Sequence, residues 1–99
     1  MKVVGRQRLK AFCRRHADAR SWLEAWLAEA EAARWRTPAE IKVRYARASF
    51  LGDGTVVFDV KGNDYRMETR FAWQTGVLVV EWIGTHAQYD RRNRERRKG

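Results

Sequence analysis

Thr55-Val56-Val57-Phe58-Asp59-Val60-Lys61-Gly62-Asn63-Asp64-Tyr65-Arg66-Met67-Glu68-Thr69-Arg70-Phe71-Ala72 decides the fold. Apolar side chains recur at every second position on both sides of Lys61-Gly62-Asn63, which has the composition of a tight turn. Two strands joined as a hairpin follow. Outward from this hairpin the same period of two continues. The strand block reads Ser49 to Leu51, Thr55 to Val60, Asp64 to Gln74 and Val77 to Gly84, with Gly52-Asp53-Gly54 and Gln74-Thr75-Gly76 as the remaining turns. This pattern predicts an antiparallel meander, with Val3 and Val4 joining an edge. Upstream the period changes to that of a helix. Leu9, Phe12 and Cys13 predict an amphipathic helix between Arg6 and His16. Trp22, Leu23, Trp26, Leu27 and Ala30 mark the core face of a second. It starts at Asp18 or at the capping box of Ser21 and Glu24. Thr37-Pro38-Ala39-Glu40 opens a third, short helix that reaches about Ala46.

Alternation sorts the two faces of the sheet. Val56, Phe58, Val60, Tyr65, Met67, Phe71, Trp73, Leu78, Val80 and Trp82 fall on one face, which the helices must cover. Asp59, Lys61, Arg66, Glu68, Arg70 and Glu81 fall on the other, and the expectation is an open, charged floor. The predicted class is α+β, an N-terminal helical hairpin packed on one face of an antiparallel β-sheet.

Ninety-nine residues, 44% of them hydrophobic and five of them Trp, suffice for one folded domain. No apolar run reaches the ~18 residues of a membrane span, and the N-terminus lacks the apolar core of a secretory signal, so a cytoplasmic protein is expected. Cys13 is the only cysteine, which excludes an internal disulfide and a multi-cysteine zinc site. Nothing in the sequence calls for a metal or a cofactor. Net charge is +9, and residues 91–98 hold six Arg or Lys against Glu95 alone. Such a balance on a small domain points to nucleic acid. The expected organisation is a domain over residues 1–90 and a basic, disordered tail over 91–99.

Two constellations carry candidate chemistry. Lys61-Gly62-Asn63-Asp64-Tyr65-Arg66 sets two cations and a glycine around one turn, a composition suited to a phosphate. By face counting Lys61 and Arg66 share a surface, and Arg70 follows on it. Gly84-Thr85-His86-Ala87-Gln88-Tyr89-Asp90 ends the last strand. His86 has the residue type for proton transfer near neutral pH, and one helical turn would place Tyr89 on its side. Asp90 could orient either.

In this order and spacing the two motifs resemble the HigB toxins of bacterial toxin–antitoxin systems, within the wider RelE-type mRNA interferases. Trp35-x-Thr37-Pro38-Ala39-Glu40, Ala48-Ser49-Phe50 and Val56-Val57-Phe58-Asp59-Val60 add to the resemblance, which spans residues 1 to 90. It implies a RelE-like fold and cleavage of messenger RNA, commonly on the translating ribosome, with inhibition of translation and growth. It also implies neutralisation by a HigA-type helix-turn-helix antitoxin, through which alone operator DNA would be met. On the matching positions, Lys61 and Arg66 would act on the scissile phosphate, His86 or Tyr89 in proton transfer, and Asn63 and Asp90 in positioning. Outside the matching positions, the charge pattern alone adds Arg70, Arg91 and Arg92 as expected RNA contacts. The chain departs from the family pattern at the polar Glu68-Thr69-Arg70 and in the Arg91–Lys98 segment. The alternative on the same fold is an RNA- or ribosome-binding module without catalysis. A third class is a pure protein-interaction domain that binds only an antitoxin.

Overall fold

The computed structural model describes residues 1–98. Gly99, the end of the expected tail, lies outside the described residues. Strand β1 (Lys2–Val4) leads into helix α1 (Arg6–Arg15), a 3-10 turn (Ala17–Ala19), α2 (Arg20–Ala32) and α3 (Pro38–Arg44). The meander follows as β2 (Ser49–Gly52), β3 (Thr55–Val60), β4 (Tyr65–Ala72) and β5 (Val77–Thr85), and α4 (His86–Lys98) closes the described chain. The sheet order is β1-β5-β4-β3-β2. The four strands of the meander are antiparallel as predicted, and β1 joins the β5 edge in parallel, so the sheet is mixed.

Local chemistry explains each boundary. Gly5 takes a left-handed φ of +93°, and a Cβ there would stand 2.7 Å from the Val80 carbonyl oxygen, so only glycine lets the start of α1 lie this close to β5. The α3 capping box forms as read, with the Thr37 amide donating to the Glu40 carboxylate at 3.0 Å. The Met1 ammonium donates to the carbonyls of Ala30, Glu31 and Ala33 at the end of α2, which otherwise lack intrahelical partners.

Between the helices and the sheet lies one apolar core. Trp26, Ile41, Phe58, Met67, Leu78, Val56, Val60 and Val80 are fully buried in it. Phe58 packs edge-to-face with Trp26 and with Tyr45, at centroid distances of 5.4 and 5.3 Å, the geometry that aromatic quadrupoles favour.

The second face departs from expectation twice. Residues 91–98 are not a disordered tail: they continue α4, which crosses this face at β4 and β5. Glu68 supplies the reason. Its carboxylate is 4% exposed and accepts from Arg92 at 3.1 Å and Arg96 at 2.7 Å, two residues one helical turn apart. The floor around Glu68 is therefore covered rather than open. Trp82 is the second correction. A bulge shifts the register so that Thr69 faces Val80 while Glu68 faces Trp82, leaving Glu81 as the extra residue. That one residue reverses the alternation. Trp82 joins Glu68 on the second face, and Ile83 turns to the core.

Candidate functional site

The β3–β4 turn and the start of α4 meet at one end of the sheet. Val60 pairs with Tyr65 and Asp59 with Arg66, so the turn spans Lys61 to Asp64. Across the other edge of β4, Arg66 pairs with Gly84 and Tyr65 with Thr85. The His86 amide donates to the Asp64 carbonyl at 3.1 Å and ties the two segments together. Gly84 carries no side chain for a physical reason. A Cβ there would stand 2.6 Å from the Trp82 ring and 2.7 Å from the Gln88 side chain. Gln88 in turn closes a capping box on α4: its side-chain oxygen accepts from the Thr85 amide at 2.9 Å, and its own amide donates to Thr85 Oγ1 at 3.1 Å.

Arg66 is the most enclosed cation of this end, with its side chain 12% exposed. The guanidinium lies 3.3 Å from Asp59, donates to the Asn63 side chain at 2.6 Å, and reaches the Asn63 and Tyr65 carbonyls. Four fixed oxygens leave it little rotational freedom, so the cation is held in one preorganised position. His86 Nε2 lies 3.3 Å from Asp90 Oδ2, and both side chains are substantially open to solvent. Tyr89 sits beside them but faces the sheet, 6.1 Å from the Trp82 ring.

Lys61 takes a different direction. With φ at +52°, followed by Gly62 at +68°, it leaves the alternation of β3 and reaches the helical layer. Its ammonium donates to Asp18 at 2.8 Å, and the Tyr65 hydroxyl donates to the other Asp18 oxygen at 2.6 Å. These two hydrogen bonds hold the Asp18 carboxyl below its usual range. The same carboxylate raises the Lys61 ammonium and pushes the Tyr65 hydroxyl up to about 12, with burial adding to the latter. Lys61 is thus a firm cation, suited to an anion and not to accepting a proton.

The remaining expected residues are dispersed. Arg70 pairs with Glu81 at 3.2 Å, in register with Val79, away from Gly84 and His86. Arg92 is engaged by Glu68 and lies 5.2 Å over the Trp82 ring. Arg91 turns to the side of α1. So Asn63, Arg66, His86 and Asp90 come together at one end, with Lys61 on the helical side of the same turn and Tyr89 on the sheet side.

Three partners were not foreseen: Asp59, Asp18 and Glu68. Asp59 was legible, because counting back from the hairpin turn sets it opposite Arg66. The capping pattern Thr85-x-x-Gln88 was also on the page and predicts a helix from His86. Asp18 lies 43 residues from Lys61, and no local signal joins them.

Three helices on one face of a five-stranded sheet and a fourth across the other, with an arginine and a His–Asp pair at its end, define a small, basic α+β protein of the RelE-like class. Residues 19–92 match the HigB toxin family, described as the RelE-like toxic component of a toxin-antitoxin system. The chain belongs to this family. The match begins after α1, a narrower span than the resemblance read from the motifs. A search of curated proteins finds no match. No helix among the described residues is long and apolar enough to cross a membrane.

Proposed function

We propose that this toxin is an endoribonuclease that cleaves messenger RNA on the translating ribosome in the cytoplasm, stopping translation and growth. A HigA-type helix-turn-helix antitoxin is its neutralising partner, and operator DNA is met only through that antitoxin. The observation that carries the reading is the placement of Arg66 opposite Gly84, one residue pair from the strand end where His86 and Asp90 open α4.

Ribose-assisted cleavage needs few parts. A base removes the 2′-hydroxyl proton, the 2′-oxygen attacks phosphorus, and an acid protonates the departing 5′-oxygen. The products are a 2′,3′-cyclic phosphate and a 5′-hydroxyl. Arg66 meets the charge that builds on the phosphate, with Lys61 as a second cation at the turn. His86, oriented by Asp90, or Tyr89 moves the proton, which typically contributes ~10²–10⁴ in rate. Asn63 holds the guanidinium in place.

Induced expression should arrest growth and leave messages fragmented, with cyclic-phosphate ends, in a direct RNA-end assay. Intact messages alongside confirmed soluble protein would refute the reading. One feature favours the non-catalytic alternative: Arg66 and Lys61 already hold carboxylate partners, Asp59 and Asp18. A toxin that halts translation while every message stays whole is the outcome belonging to that alternative.

A further inference from the structure

We propose that the cleft between the C-terminal end of α1 and helix α4 is a second phosphodiester-binding site, taking an RNA strand on the side of α4 away from His86 and Asp90. The inference rests on the RNA-directed reading above and extends it to residues outside the reacting end. Phe12, Arg15 and His16 form one wall of the cleft and Gln88, Arg91, Arg92 and Glu95 the other, with Trp82 and Ile83 between them. Its volume of about 560 Å³ falls within the ~300–1,000 Å³ typical of ligand clefts.

Helical periodicity separates this wall from the His–Asp pair. Gln88, Arg91, Arg92 and Glu95 recur at three- and four-residue spacing and share one stripe of α4, while His86 and Asp90 form another, on the opposite side. α4 thus stands as a partition between two basic surfaces.

Charge and ring chemistry identify the ligand class. Three guanidiniums face one carboxylate, Glu95, across the cleft. Arg92 is engaged by Glu68, but Arg15 and Arg91 are exposed and form no ion pair among the described residues. Two uncompensated guanidiniums on facing walls suit a phosphate, which each can grip through two parallel hydrogen bonds. The neighbouring surface is aromatic: His16 stacks on Phe12 at 4.5 Å, and the Trp82 ring reaches the cleft from β5. Phosphate grip beside the partly exposed His16 and Trp82 rings is the composition of a single-strand nucleic-acid surface, whereas an acidic peptide has no use for the rings.

The test is fluorescence anisotropy with a 2′-O-methyl RNA oligonucleotide, which binds but cannot be cleaved. Wild type is compared with the double variant Arg15→Ala/Arg91→Ala across a salt series. Loss of two phosphate contacts should weaken binding and lower the log–log salt slope by about 1.4, at about 0.7 per contact for a single strand. Arg8→Ala/Lys10→Ala, with equal charge removed from exposed positions of α1, should change the slope far less. Equal effects from the two pairs, or wild-type binding by Arg15→Ala/Arg91→Ala, overturn the site. So does an oligoglutamate peptide that binds wild type more tightly than the RNA and loses that affinity only in Arg15→Ala/Arg91→Ala. Message cleavage is measured in parallel. RNA binding that depends on Arg15 and Arg91 in a wild type that cuts nothing removes the nuclease reading and leaves the cleft standing.

Discussion

At the scale of single residues, the candidate site separates a held cation from a His–Asp pair open to solvent. Arg66 is enclosed and fixed by Asp59 and Asn63, whereas His86 and Asp90 stand in solvent. Arg66→Ala should therefore lose transition-state stabilisation, about 10²–10³ in single-turnover cleavage on programmed ribosomes. His86→Gln and Tyr89→Phe each remove one ionisable group, and at least one should lose most cleavage while still binding antitoxin. Three folded variants that cleave within a few-fold of wild type would move the site elsewhere. The Asp18–Lys61–Tyr65 cluster yields a pH prediction with opposite signs at its two ends. Asp18 is depressed when folded, so its contribution is present above its unfolded value of 3.8 and vanishes as pH falls through the lower folded value. Tyr65 is raised to about 12, so its contribution is complete below 10.0 and is lost as pH climbs toward 12; Lys61, also raised, is lost in the same direction. Urea midpoints measured across pH should show Asp18→Asn flattening the acid limb and Tyr65→Phe flattening the alkaline one.

At the scale of elements, α4 holds more of the molecule than its charge run suggests. Its sequence offers almost no apolar stripe, so its place depends on Glu68 and on the ring of Trp82. Removing residues 91–99 strips Glu68 of both arginines and also lifts the helix that covers its carboxylate, so water reaches the group. Because Arg92 and Arg96 are 38% and 40% exposed and the freed carboxylate is rehydrated, the loss should be about 1–3 kcal/mol, between the values typical of surface and buried pairs. Denaturant titration should show a loss of that order, and adding Glu68→Leu to the shortened chain should recover much of it. If the shortened chain is as stable as wild type, the pairing contributes nothing to the fold. Thr85→Val tests the other end of α4. It removes the hydroxyl half of the capping box and should cost about 1 kcal/mol, with the His86–Asp90 geometry loosened along with the first turn.

At the scale of the whole molecule, the apolar core and the candidate site around Arg66 lie apart. The helical side holds the aromatic core, and Phe58→Ala should cost about 3–5 kcal/mol because a fully buried ring leaves a cavity. Val43 is 89% exposed, and Val43→Ser should stay within about 0.5 kcal/mol of wild type. Thermal unfolding of the two variants measures the contrast directly. The cations of the candidate site and of the α1–α4 cleft lie outside this core, so a core variant that still folds should retain its RNA affinity and salt slope.

How much of this was legible depends on the range of the interaction. Period-two and period-3.6 patterns, turn glycines and the Thr37–Glu40 capping box are local, and β2 to β5 and α1 to α3 follow from them within a residue or two of the predicted bounds. The motifs around Arg66 and His86 are local too, and their strand spacing already set them at one end of a meander. The bulge at Glu81 is not local. It depends on how β5 pairs with β4, and one extra residue moved Trp82 from the core to the second face. The direction of Lys61 was likewise hidden, because a left-handed turn residue escapes alternation and its partner lies in another layer. Nor could the sequence by itself place α4, whose polar composition reads as a solvated tail. Burying Glu68 beneath two arginines 24 and 28 residues downstream is a long-range electrostatic match, and only the assembled sheet brings those charges within reach.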